Sequence, residues 1–401
     1  MVGGCWLMAL IVVNYVAWLL NFGDVFRTFL LILMVGALAV AVLGCVRTKD
    51  FLALCILSFL LFLIVRSPLL AWDARSIWFF HAKRMFYDGW LYARLDDYGH
   101  FSHNDYPDMV PSLAASITRA VNVWNEVLPK LAIFLAIVPA LMTLLRLLRT
   151  EVSRFLLGVI LIGPILIGPR HAILVNGLMD GILGVYMAAL MLSSCRLLAH
   201  GPEYAKLSLA ERLTCPLLLA ILCGLKNEGL VIGLFYLVTF TTVLFLNRYP
   251  HLVIARFVAA STAAFVPVMI WKIRLVSAHI SNDLVEQGGG ALTRVMPRLN
   301  VHDLESIIVA TQLLPIATLM MVVGFWARAK LATKWFLLSM VGMYYLILFG
   351  LYLSTPLDLG FHLGTSAHRV IYPLMLTLVV FCIWSWEAEY LRKKALGDAS
   401  V

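Results

Sequence analysis

Four carboxylates and four cations stand out in a sequence that is otherwise almost wholly apolar: Asp73, Asp105, Asp180 and Glu228 against Arg170, Lys226, His368 and Arg369. A positioned carboxylate can take the proton of an attacking hydroxyl, and an oriented Arg or Lys can stabilise a leaving phosphate without a metal. Asp73 is the candidate general base, and Lys226, Arg369, Arg170 and His368 are the candidate phosphate contacts. Rings stack on sugar faces and carboxylates bind pairs of hydroxyls, so Asp105, Tyr106, His103, Asp180, Glu228 and Trp72 are candidates for holding a sugar or an acceptor.

These residues need elements that bring them to one place. Asp73 and Asp105 fall within Arg66–Pro111, the long polar interruption of the first half. From about Asp73 to Trp90 the pattern is helical: on a 3.6-residue period Trp78, Phe79, Ala82, Met85 and Phe86 share one side, and Asp73, His81, Arg84, Tyr87 and Asp88 share the other. The spacing predicts an interfacial helix, its apolar side among acyl chains, Trp72, Trp78 and Trp90 at headgroup depth, and its polar side facing an outward cavity. Asp73 could equally be no more than the N-cap of that helix. Leu91–Pro111 is too polar for a span and reads as a carbohydrate-binding loop or an ordinary wet one. His100, His103 and Asp105 lack a firm ligand spacing, so no metal or other cofactor is assigned, and a divalent ion stays open.

Further along, Asn176 and Asp180 lie four residues apart at the start of an apolar segment, with Gly177 and Gly181 allowing close helix contact. Lys226 and Glu228 interrupt another apolar stretch, as a broken helix binding an anion or as the cap of a tight hairpin. Gly288–Gly290 sits in a loop suited to a lid, and His368 and Arg369 sit at the mouth of the last span.

Composition fixes the class. Of 401 residues 62% are hydrophobic and 13% charged, and mean hydropathy is +0.93, far from a soluble domain. Apolar runs near 4–21, 28–46, 51–66, 126–148, 154–169, 177–198, 213–225, 229–247, 253–275, 303–326, 335–353 and 370–388 predict an all-α polytopic membrane protein of about 12 spans, one domain over 1–401, with outer loops at 67–125, 277–302 and 354–369. The first run lacks a cationic flank and reads as a retained span. The seven cysteines suggest neither disulfides nor a thiolate metal site. The net charge of +9 is explained by topology: short connectors such as 47–50, 146–154 and 328–334 are basic, so both termini are expected in the cytoplasm and the carboxylates on the outer face. No basic stripe with interleaved aromatics points to nucleic acid.

Trp-Asp-Ala-Arg-Ser-Ile-Trp at 72–78, His-Asn-Asp-Tyr-Pro at 103–107, Lys-Asn-Glu-Gly at 226–229 and His-Leu-Gly-Thr-Ser-Ala-His-Arg at 362–369 together resemble the bacterial GT-C glycosyltransferases, relatives of the protein O-mannosyltransferases and the lipid A aminoarabinose transferases. The resemblance implies sugar transfer at the periplasmic face of the inner membrane, from a polyprenyl-phosphate-linked donor to a hydroxyl of a lipid, polysaccharide or protein acceptor. It also implies that Asp73 matches the family's general base, an aspartate of the first large outer loop. The chain departs from the mannosyltransferase branch, which has an Asp-Glu pair there, because Ala74 and Arg75 follow Asp73. Asp73 also follows the third span rather than the first. The rival class is a secondary transporter or lipid-linked-sugar flippase, for which mid-membrane ionisable groups and two similar halves are expected.

Overall fold

A computed structural model describes residues 2–91, 102–200, 208–280, 290–326 and 329–398, and every regular element among them is a helix. In hydrocarbon the backbone must satisfy itself, which an α-helix does within one segment. In chain order the helices are α1 (Val2–Leu19), α2 (Asp24–Arg47), α3 (Phe51–Arg66), α4 (Phe79–Asp88), α5 (Met109–Ala120), α6 (Leu131–Leu147), α7 (Glu151–Ile167), α8 (Met179–His200) and α9 (Leu209–Leu225). They continue with α10 (Asn227–Leu246), α11 (His251–Ala263), α12 (Val266–Ser277), α13 (Ala291–Arg298), α14 (Val301–Ala310), α15 (Leu313–Met321), α16 (Leu331–Ser354), α17 (Leu359–Val370) and α18 (Tyr372–Asp398).

Among the described residues, seven helices are long and apolar enough to cross a membrane, or eight if the bent pair Val301–Ala310 and Leu313–Phe325 is one span. This is an all-helical, multi-pass architecture. The most apolar 18-residue stretch of α8 is 89% buried and that of α2 only 22%. A helix apolar all round and enclosed is a core helix, so α8 is the axis of the bundle and α2 its lipid-facing edge. Around α8 pack α6, α9 and α18.

The count falls short of twelve because several apolar runs are short or bent. α3 has 16 residues, α7 and α9 have 17 each, and Pro164 and Pro216 interrupt the latter two. The 303–326 run turns by 60° where Gln312 takes a left-handed φ of 53°. The expected outer loops also carry helices. Most of 354–369 is α17, started by the Asp358 carboxylate accepting from the Phe361 N–H at 2.8 Å. The 277–302 segment contains α13; of the glycine triplet proposed as a lid, only Gly290 lies within the described residues.

Polar contacts between distant helices fall into two groups at opposite ends of the bundle. At one end Arg27 donates to the Gly89 carbonyl at 3.0 Å, Arg119 pairs with Asp24, and Arg298 reaches the Thr355 carbonyl at 2.6 Å. At the other, Arg154 pairs with Asp50 at 2.8 Å, buried Glu387 accepts from the Arg149 and Thr150 N–H groups, and Lys330 donates to the Ala199 carbonyl.

Candidate functional site

The helical turn carrying Asp73 does not follow a regular α period. Residues 72–88 are helical throughout, but Ala74–Trp78 form a π-helical turn. Such a turn adds one residue and rotates the helix beyond it. The consequence corrects the amphipathic reading of 73–90: Trp78, Phe79, Ala82 and Met85 are buried within the protein rather than among lipids. His81 faces the core, where its Nδ1 lies 2.9 Å from Asp108 Oδ1 on the N-cap of α5. Trp72 and Trp90 remain exposed, as expected at headgroup depth. Burial pushes the Asp108 carboxyl above its ordinary range against the opposing pull of His81.

Asp73, held just before the π turn, has no capping hydrogen bond of its own, so the N-cap reading does not describe it. Its carboxylate is paired with the Arg369 guanidinium from the last turn of α17, and the two side chains are 18% and 17% exposed. Gly177 makes this position possible. Its φ of +86° is left-handed, and a Cβ there would lie 2.8 Å from the Ala74 Cβ. The Asn176 side chain accepts from the Leu178 N–H and turns the chain into α8, so Asn176 precedes the helix rather than lying within it.

Lys226 is the one extended residue (φ −155°, ψ 165°) between α9 and α10, and the two helices fold back on each other, Gly229 against Leu222 and Gly233 against Leu219 and Cys223, so of the two alternatives the chain forms the tight hairpin and not a broken helix. Gly229 permits the hairpin, because a Cβ there would overlap the Leu222 carbonyl oxygen. The Lys226 ammonium lies 3.0 Å from both Asp180 and Glu228, and 5.8 Å from the Tyr106 ring centroid. Tyr106 in turn stacks between Trp78 and His103, at centroid distances of 5.5 and 4.8 Å. His103 takes a left-handed φ of 50° to enter that stack. Asp180 feels Arg369 as well as Lys226, so the two cations and three carboxylates form one electrostatic group.

These groups meet at a cavity of about 2400 Å³. Nine of the expected residues line it: Trp72, Asp73, His103, Tyr106, Arg170, Lys226, Glu228, His368 and Arg369. Asp180 is buried directly behind Lys226. Asp105 is set further back: its carboxylate accepts from Asn227 at 2.6 Å, and its carbonyl accepts from Trp271 and Lys272. It ties the loop before α5 to α10 and α12 rather than facing the cavity. Asp96, Asp97 and His100 lie outside the described residues. Among the described residues, no three His, Cys, Asp or Glu side chains converge as metal ligands would.

The cavity also has lining residues that the sequence did not single out. Arg66 ends α3 like any snorkelling cation, and Tyr344 and Tyr352 sit inside the apolar run of α16 like core aromatics. Tyr352 O–H and Ser366 Oγ are 2.8 Å apart, and His362 Nδ1 is 2.8 Å from Thr355 Oγ1, which fixes α17 against the end of α16. Chemically, the wall offers a carboxylate beside a fixed guanidinium, further cations, and stacked rings. No family model, no curated protein and no solved structure matches the chain.

Proposed function

We propose that this protein is an inverting membrane glycosyltransferase of the GT-C kind, moving a sugar from a polyprenyl-phosphate donor to a hydroxyl of a cell-envelope acceptor. The observation that carries the reading is the pairing of Asp73 with Arg369 in the wall of a cavity that also presents Lys226 and Arg170. In this reaction the acceptor oxygen attacks the anomeric carbon, Asp73 takes the hydroxyl proton, and the bond to the phosphate breaks with its electron pair leaving on the lipid phosphate. Arg369, Lys226, Arg170 and His368 stabilise that charge, while His103, Tyr106 and Trp72 hold the sugar or acceptor. A cavity of this size takes a sugar and an acceptor together.

The proposal includes an inner-membrane location, with the cavity opening to the periplasm and both termini in the cytoplasm. The basic connectors at the opposite end support it. Twelve passes result if the shorter helices α1, α3, α7 and α9 also cross.

The test is transfer of labelled sugar from lipid donor to envelope acceptor in nanodiscs. Asp73→Asn is expected to lower transfer by about 10²–10⁴-fold in a folded protein that still binds donor. Turnover near wild type would remove the assignment of Asp73 as base, and no transfer by the wild-type protein would favour the transporter class.

A further inference from the structure

A second cavity, of about 470 Å³, lies at the opposite end of the bundle, where α1, α2, α3, α6, α8 and α9 meet. On α8, Asp180, which pairs with Lys226 of the first cavity, and Arg196, which lines the second, are 16 residues apart, about 24 Å of helix. Three arginines line it, and they differ. Arg154 is committed, to Asp50 at 2.8 Å and to the Leu148 carbonyl at 2.8 Å. Arg146 and Arg196, among the described residues, have neither a hydrogen bond nor an ion pair. Their charges repel each other, and each is drawn to Glu211, whose carboxylate is instead fixed by the Ser208 N–H and hydroxyl in the capping box of α9.

Two guanidinium groups brought together with no anion in contact are electrostatically incomplete. Arg146 is exposed and Arg196 half-buried, and both line one cavity together with the buried Ser193 hydroxyl, which among the described residues has no hydrogen-bond partner either. Asp50 and Glu211 against three arginines leave one positive charge, which matches a phosphodiester monoanion. The rest of the wall mixes apolar residues such as Val40, Ala41 and Leu145 with the hydroxyls of Thr48, Thr143, Ser193 and Thr214, and Gly4 and Gly44 leave open space where a side chain would be. We infer that this cavity holds one anionic glycerophospholipid, its phosphodiester between Arg146 and Arg196 and an acyl chain along the glycine-lined wall. The site is independent of the chemistry at the other end.

Native mass spectrometry of the full-length protein with phosphatidylglycerol tests this, with phosphatidylcholine and inorganic phosphate as competitors. Wild type and Arg47→Gln, a basic change at the same end outside the cavity, are expected to retain one phosphatidylglycerol. The Arg146→Gln/Arg196→Gln variant is expected to bind it at least about tenfold more weakly, as loss of charge-assisted bonds implies. Gly44→Phe, which fills the cavity and keeps both arginines, is expected to lose it too, and decides the matter if the double variant does not fold. Unchanged retention in the variants, an equal loss in Arg47→Gln, or displacement by inorganic phosphate as readily as by lipid would each overturn the inference.

Discussion

One helical stretch, residues 72–88, contributes one member to each of two pairs, Asp73–Arg369 and His81–Asp108, that differ in partner, burial and surroundings. Asp73 pairs with Arg369 from the far end of the chain, and both side chains keep about a sixth of their surface open to the cavity. His81, two turns further along, pairs with Asp108 from the neighbouring loop, and both are wholly buried. One pair faces the cavity and the other the core. A buried pair stabilises through what its removal would strand, whereas a half-open pair can exchange partners with an incoming ligand. Similar residues a few positions apart thus become chemistry or scaffold according to which face they reach.

The contrast breaks most severely at Arg369. Arg369→Ala is expected to cut sugar transfer by about 10²–10³-fold, because it removes a fixed donor to the developing phosphate charge. The melting temperature should move little. A large fall in stability with normal transfer per folded molecule would place this pair with the scaffold. Second, Asp108→Ala is expected to cost about 2–4 kcal/mol by stranding His81, read as a lower midpoint in denaturation, with transfer per folded molecule unchanged. The His81→Phe/Asp108→Leu double variant should recover most of that loss, because two apolar side chains leave nothing unpaired.

Lys226 combines the two kinds of pair. Lys226→Met strands buried Asp180, and about 3 kcal/mol of lost stability is expected. Adding Asp180→Asn should restore stability without restoring donor binding; if it restores both, Lys226 has only a structural role. The smallest effect belongs to Asp105→Asn, which keeps an acceptor for Asn227 and loses only the charge facing Lys272 at 3.8 Å. A loss of about 1 kcal/mol and near wild-type transfer are expected. A transfer defect exceeding tenfold with normal stability would move Asp105 back among the substrate contacts.

The membrane class and most of the charged residues of the cavity wall were legible in the sequence, because polar residues in an apolar chain are conspicuous. Lys226 between two apolar runs marked the junction of α9 and α10, but spacing alone did not choose the hairpin they form over a broken helix. The orientation of His81 was not legible: a regular 3.6-residue period groups it with Asp73 on the polar side, yet it is wholly buried against Asp108. Nor were Tyr344 and Tyr352, since an aromatic residue in a span looks the same whether it faces a neighbour or a cavity. Helix α17 reads as a loop in sequence because its 12 residues are too few and too polar for a span, yet that helix is what fixes Arg369.

The contact between Asp73 and Arg369 spans 296 residues. At a synthesis rate of 5–20 residues per second, roughly 15 to 60 s separate the emergence of the aspartate from that of its partner. During that interval the carboxylate has already been committed to one side of the bilayer while the guanidinium is still to be made. The wall of the cavity therefore closes only when the final helices have been inserted, and a chain that stops before α17 retains most of its spans but lacks this contact.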